Sequence, residues 1–305
     1  MRIKALLLWM MLPFAAAAQP APEPLGPTIL DTGSGLFETQ SFTLEGPADG
    51  AAYRIGVLTP HRAPPAEGFP VLYLLDGQAA LEVLTPELLA MLGPESLPVI
   101  VSVGYDTERR FASEERTRDY TPPDAAGAPV VDPRGRSGGG GPAFLDLLVS
   151  RIMPQAEALA PIDANDRTLW GHSYAGLFVL QAAGTPDAPF ARFVAASPSL
   201  WWDDARYFDR LVARMEGRDW PHRPLDFHRG ELERVRASKP DDPEVQQLLR
   251  MRAALPEDAF LTLVAAARAA GVPGQTTIFP GLSHGETFSA SIAHLLKEGH
   301  GPAGE

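Results

Sequence analysis

Two short runs, apolar throughout but for Ser102, Val71 to Leu75 and Val99 to Val103, constrain this chain more than any other feature. Each is closed by a glycine, Gly77 and Gly104. A strand with one face in water alternates apolar and polar residues, whereas a strand covered on both faces does not. These runs therefore predict strands inside a parallel sheet. Further short runs at Thr168–Trp170, Phe193–Ala196, Leu225–Phe227 and Thr276–Phe279 alternate with helical patterns at Phe144–Leu159, Leu177–Ala183, Asp203–Met215, Pro256–Ala270 and Phe288–Glu298. Within Phe144–Leu159 the apolar residues fall at 144, 145, 147, 148, 152, 153, 156 and 159, a period that packs one helix face on a sheet. Ahead of them, Thr39–Leu44 and Tyr53–Leu58 flank the turn residues Pro47-Ala-Asp-Gly50 as a hairpin. The expected class is α/β: a mostly parallel central sheet, helices on both faces, and an antiparallel N-terminal edge.

Composition narrows the chemistry. The 305 residues are 45% hydrophobic and 21% charged, enough for a sizeable core. Arg2 and Lys4, the apolar run Ala5–Phe14 and the small residues Ala15–Ala18 have the layout of a bacterial secretory signal peptide over residues 1–18, cleaved near Ala18. That implies a periplasmic or secreted protein. Residues 19–34 form a flexible lead-in, 35–300 a single domain and 301–305 a tail. No second stretch of 18 apolar residues follows, so stable membrane insertion after cleavage is not expected. The net charge of −12, which becomes −14 once Arg2 and Lys4 are removed, argues against a nucleic-acid partner. With no cysteine, the chain has no disulfides, thiolate metal sites or cysteine nucleophile. HExxH is absent and the histidines are not at ligand spacing, so neither metal nor cofactor is expected. Arg134–Gly141, RGRSGGGG, has the composition of a mobile loop.

The reactive chemistry concentrates in Gly171-His-Ser-Tyr-Ala-Gly176, between the apolar Thr168–Trp170 and the helix-like Leu177–Leu180. Strand, sharp turn and helix are what a nucleophile elbow requires, with small residues two positions either side of an exposed serine. Here those residues are Gly171 and Ala175, and the alanine departs from GxSxG. Ser173 is the candidate nucleophile of an α/β-hydrolase fold. In that fold the acid and then the histidine follow the serine along the chain. Of the seven histidines, His284 in Gly281-Leu-Ser-His-Gly285 has the right place, on a loop between the final strand and the last helix, while His172, beside the serine, should point away. Glu233, three residues past Gly230, has the spacing of an orienting acid; Glu231 is the alternative, and a Ser-His dyad remains open. The oxyanion donors expected are the backbone N–H of Tyr174 and that of Gln78 or Gly77.

YLLDG around Asp76, VGY at Val103–Tyr105, RTRDYTP at Arg116–Pro122, GHSYAGLFVL and SPSLWW at Ser197–Trp202 together resemble the esterase D-like α/β-hydrolases. The branch most similar contains the siderophore esterases that open catecholate trilactones of the enterobactin and salmochelin type. The resemblance runs from about Gly35 to Leu296. It implies Ser173 as nucleophile, His284 as base, an acidic loop at Gly230-Glu-Leu-Glu233, and as partner a small-molecule ester such as an iron-loaded siderophore. Any iron would then arrive with the substrate. A binding wall is expected from Arg116, Arg118 and Tyr120, with Trp201 and Trp202, because guanidinium forks and aromatic faces suit catecholate rings. A general carboxylesterase of feruloyl or acetyl type, and a non-catalytic ligand-binding module, are the alternative functions.

Overall fold

A computed structural model describes residues 25–46, 52–233 and 243–298. The expected signal peptide, residues 19–24 of the lead-in, the hairpin turn and the tail lie outside these residues, as do residues 234–242 of the charged segment after Gly230. Eight strands form one sheet in the order β1-β2-β4-β3-β5-β6-β7-β8. They are β1 (Phe37–Glu45), β2 (Ala52–Pro60), β3 (Phe69–Leu75), β4 (Val99–Tyr105), β5 (Ile162–His172), β6 (Arg192–Ala196), β7 (Leu225–Gly230) and β8 (Thr276–Phe279). The hairpin β1–β2 and the pair β2–β4 are antiparallel, and every pairing from β4 through β3 to β8 is parallel.

Successive side chains of a strand point to opposite faces, and the central strands serve two cores in that way. Val71, Tyr73 and Leu75 belong to one cluster, with the helices Tyr174–Ala183, Arg206–Glu216 and Ala259–Ala269. Leu72, Leu74 and Trp170 belong to the other, with the helices Gly77–Val83 and His284–Glu298. This double burial is what the near-continuous apolar runs encode. The pattern at Phe144–Leu159 forms helix from Gly141 to Glu157 with a π-helical turn at Leu148–Ile152. Pro154 accounts for it: its ring has no N–H and collides with the carbonyl four residues back, and one widened turn relieves both.

The glycine-rich segment corrects an expectation. Rather than hanging free, it is pinned by the Asp132 carboxylate, which accepts from the backbone N–H groups of Arg134 and Arg136 at 2.8 and 2.9 Å and from Arg136 Nε at 2.7 Å. The N–H groups of Gly138, Gly139 and Gly140 bond to Val130, Thr121 and Arg118.

Beneath the sheet, Trp170 Nε1 donates to Ser291 Oγ at 2.8 Å. Ser291 Oγ also lies 2.7 Å from His228 Nδ1. Burial, with His294 and Arg192 nearby, lowers the His228 pKa to about 3 and keeps the ring neutral. The unfolded chain takes up a proton near the ordinary histidine value while the folded chain does not. Between those two values stability falls as pH falls, by up to about 1.4 kcal/mol per pH unit for this one group. Urea unfolding midpoints measured from pH 7 to pH 4 should drop, and His228→Asn should flatten the slope by about one proton.

Candidate active site

β5 ends at His172, and Ser173 turns the chain into the helix Tyr174–Ala183 with φ 62° and ψ −114°. Asp76 after β3 and Ser197 after β6 also have positive φ, 53° and 44°. Three adjacent strands thus end in left-handed non-glycine residues on one edge, the carboxyl edge where parallel α/β sheets bind ligands. Gly171 is what makes the elbow fit. A Cβ there would lie 2.5 Å from the Ala175 carbonyl oxygen and 2.9 Å from the Ala175 Cβ. The methyl of Ala175, the departure from GxSxG, occupies space that position 171 leaves open. The turn is anchored by Ser173 N–H to Ala196 O at 3.0 Å, and by Leu177 and Ser199 N–H to Ser173 O at 3.1 and 3.2 Å.

His284 Nε2 lies 3.2 Å from Ser173 Oγ. The histidine is the first residue of a helix, not a loop residue as expected. Ser283 and Glu286 cap that helix: Glu286 Oε2 accepts from Ser283 N at 2.9 Å and from its Oγ at 2.6 Å, the S-x-x-E pattern of a capping box. Glu233 Oε1 is 3.7 Å from His284 Nδ1 and accepts from Gly230 N–H at 3.4 Å; its other oxygen is 3.7 Å from Arg229 Nε. Burial works to raise the Glu233 pKa. Hydrogen bonding and charge from His284, Ser197 and Arg229 outweigh it and hold the carboxyl below its usual range. The carboxylate favours a proton on Nδ1, which leaves Nε2 facing the serine as an acceptor. Glu231 is placed differently: its Oε2 accepts from Gly281 N at 2.8 Å, stapling the segment ahead of His284.

Two contacts were missed in the sequence. His172 points away from Ser173, but it does not idle: its Nε2 donates to the His284 carbonyl oxygen at 2.9 Å, with the two rings 4.5 Å apart. Burial, then His284 and Arg116, push the His172 pKa well below the ordinary value, so the ring is neutral. Strand alternation could have signalled this, since His172 shares a face with Trp170, which packs on Phe288 of the same helix. Ser199 Oγ lies 3.1 Å from Ser173 Oγ, and no sequence signal marks it beyond its place in SPSLWW.

A cavity of about 250 Å³ opens beside His284, lined by Ser199, Trp201, Arg229, Glu233, Arg252 and Phe260 among others. The predicted binding wall divides. Trp201 lines this cavity, while Trp202 is fully buried and donates from Nε1 to Pro122 O at 2.9 Å. Tyr120 is also fully buried, and Arg118 is engaged by Asp119 at 2.7 Å on another cavity. Arg116 forms a two-pronged pair with Asp76, both contacts at 2.8 Å. Trp202, Tyr120, Arg118 and Arg116 therefore correct the expectation of a binding wall, because packing or a carboxylate already claims each of them. Gly77 and Gln78 open the helix after β3, and the Gln78 side chain clamps the Tyr105 main chain, donating to its carbonyl and accepting from its N–H at 3.3 Å. Among the described residues, no group of three or more His, Asp or Glu side chains could hold a metal ion, and no helix is long and apolar enough to cross a membrane.

The Esterase family model matches residues 48–297. The chain belongs to the Esterase family. As a member it is a hydrolase acting on ester bonds. This esterase is 34% identical over 285 residues to the apo-salmochelin esterase of Escherichia coli O6:H1, covering 92% of this chain and 84% of that one. It is 33% identical over 220 residues to the ferri-bacillibactin esterase BesA of Bacillus subtilis, covering 68% and 75%. The solved structure of the enterobactin and salmochelin hydrolase IroE superposes with a TM-score of 0.69 at 31% identity, over 90% of this esterase and 100% of that chain.

The elbow geometry predicts an asymmetry. Gly171→Ala should lower stability by about 1–3 kcal/mol through overpacking and depress turnover of p-nitrophenyl acetate sharply. Ala175→Gly should cost at most about 1 kcal/mol and affect turnover less. Thermal midpoints and initial rates of the two variants check this.

Proposed function

We propose that this esterase hydrolyses the ester bonds of a siderophore of the trilactone type, releasing its iron, through an acyl-enzyme on Ser173. The observation that carries the proposal is the 3.2 Å contact between Ser173 Oγ and His284 Nε2, with Glu233 on the far side of the ring. His284 Nε2 takes the Ser173 proton as Oγ attacks the ester carbonyl carbon. The carbonyl oxygen gains the charge and is met by the backbone N–H groups of Tyr174 and of Gln78 or Gly77. When the C–O bond breaks, the alcohol leaves with the proton from His284. Water then attacks the acyl-serine, giving its proton to His284, and Ser173 leaves with it as the acid is released. Glu233 orients the ring and stabilises the imidazolium that forms twice per turnover. No resident metal or cofactor takes part in these steps.

The substrate class rests on the relatives, which are named for salmochelin, bacillibactin and enterobactin. The cavity supports it to this extent: Trp201 and Phe260 offer aromatic faces, and Arg229 and Arg252 stand against Glu233 and Glu257, so the lining is balanced in charge despite the acidic chain. In the same proposal the leader over residues 1–18 directs the enzyme to the periplasm or outside the cell.

Turnover of enterobactin, apo and ferric, compared with p-nitrophenyl acetate and methyl ferulate tests this reading. The expected result is a preference for enterobactin, abolished in Ser173→Ala and lowered at least about tenfold in kcat by Glu233→Gln, whose amide orients the ring less well. Dominant activity on the simple esters would remove the siderophore substrate, and turnover surviving in Ser173→Ala would remove the mechanism.

A further inference from the structure

Arg116 lies on the helix Ser113–Tyr120, outside the nucleophile, base and acid, yet it touches both backbone segments from which oxyanion donors are drawn. On one side its Nε and Nη2 donate to the two oxygens of Asp76 at 2.8 Å each. The Asp76 side chain is 2% exposed and that of Arg116 14%, so water competes little for the pair. Asp76 is left-handed, with φ 53°, and although it precedes the helix Gly77–Val83, its carboxylate makes no capping bond to that helix. Its oxygens turn to Arg116 instead, while its own N–H reaches Tyr120 Oη at 3.3 Å, on the same helix as Arg116. On the other side, the guanidinium carbon is 5.3 Å from the centre of the Tyr174 ring. The Tyr174 hydroxyl is tied in turn to Asp132 Oδ2 at 3.3 Å. Only a planar fork can bind a carboxylate at two points and lie on an aromatic face at the same time; an ammonium cannot.

We infer that the Arg116–Asp76 pair is a strap that fixes the turn after β3 and the first residue of the nucleophile helix relative to each other, and so sets the oxyanion hole. The inference rests on the esterase reading above and gives Arg116 a positioning role in place of the substrate contact expected from sequence. Neither side chain meets the reacting atoms. They act through the backbone N–H groups of Gly77, Gln78 and Tyr174.

The test uses the full chain with p-nitrophenyl acetate as substrate and phenylboronic acid as inhibitor, because the boronate adduct on Ser173 is tetrahedral and anionic like the intermediate. Arg116→Met should lower kcat about 10²- to 10³-fold, comparable to losing one oxyanion donor, and Arg116→Lys should recover only part of it. KM should move less than about threefold, and the Ki of phenylboronic acid should rise in parallel with the loss of kcat/KM. Asp76→Asn combined with Arg116→Gln leaves no buried charge unpaired, and should show the same pattern in a chain that still folds. A raised KM with kcat retained would make Arg116 a substrate contact and overturn the strap. A lowered kcat with unchanged Ki would mean only that less protein is folded, and would overturn it as well. Failure of the esterase reading looks different: wild-type protein would turn over none of the esters, or Ser173→Ala would still do so.

Discussion

At the end of β5 a serine is held with φ 62°, in a region that side chains other than glycine seldom occupy and at a cost of roughly 1–3 kcal/mol. What imposes it is a close fit. The Ala175 carbonyl and methyl fill the space beside Gly171, and main-chain bonds tie Ser173 to β6 and to the segment after it. The turn is therefore determined from several directions at once, and an Oγ turned toward His284 is the product. The remaining site residues are delivered by the same edge of the sheet: Asp76 from β3, Ser199 just past β6, Glu233 just past β7 and His284 after β8. A sheet buried on both faces gives that edge its rigidity, since each of its central strands is locked between two cores.

Charge at the site is arranged in partnered units. Glu233 stays ionised below the usual carboxylate range, so it is available to the imidazolium through the neutral and mildly acidic range. His172, whose ring lies 4.5 Å from that of His284, is kept neutral by burial and by nearby positive charge. A cation there would oppose protonation of His284 at each step. A neutral ring instead spends its N–H on the His284 carbonyl, holding the base from the backbone while Glu233 orients it from the side. Arg116, neutralised by Asp76, completes the set on the opposite flank.

The α/β order, the antiparallel edge, and the pairing of Ser173 with His284 were legible because each has a local signature: apolar runs closed by glycine, a hairpin pattern, and a serine between strand and helix. The spacing from Gly230 favoured Glu233 over Glu231, but the separate role of Glu231 was not legible, because both sit on one short turn and only the third dimension separates an oxygen facing Nδ1 from one stapling Gly281. His284 was expected on a loop, although Ser283 and Glu286 spelled out a capping box. The arginines misled for a physical reason: Arg116 and Arg118 read as a binding wall until Asp76 and Asp119 are found to hold them. The pinning of Arg134–Gly141 was hidden likewise, since it depends on the buried Asp132.

The central claim, a serine nucleophile at the β5 elbow activated by His284, is tested most directly by covalent labelling. Wild-type protein treated with a fluorophosphonate should gain one adduct by intact mass, and peptide mapping should put it on Ser173, with the labelling rate falling steeply in His284→Ala. No adduct, or an adduct on Ser199 or elsewhere, would contradict the account.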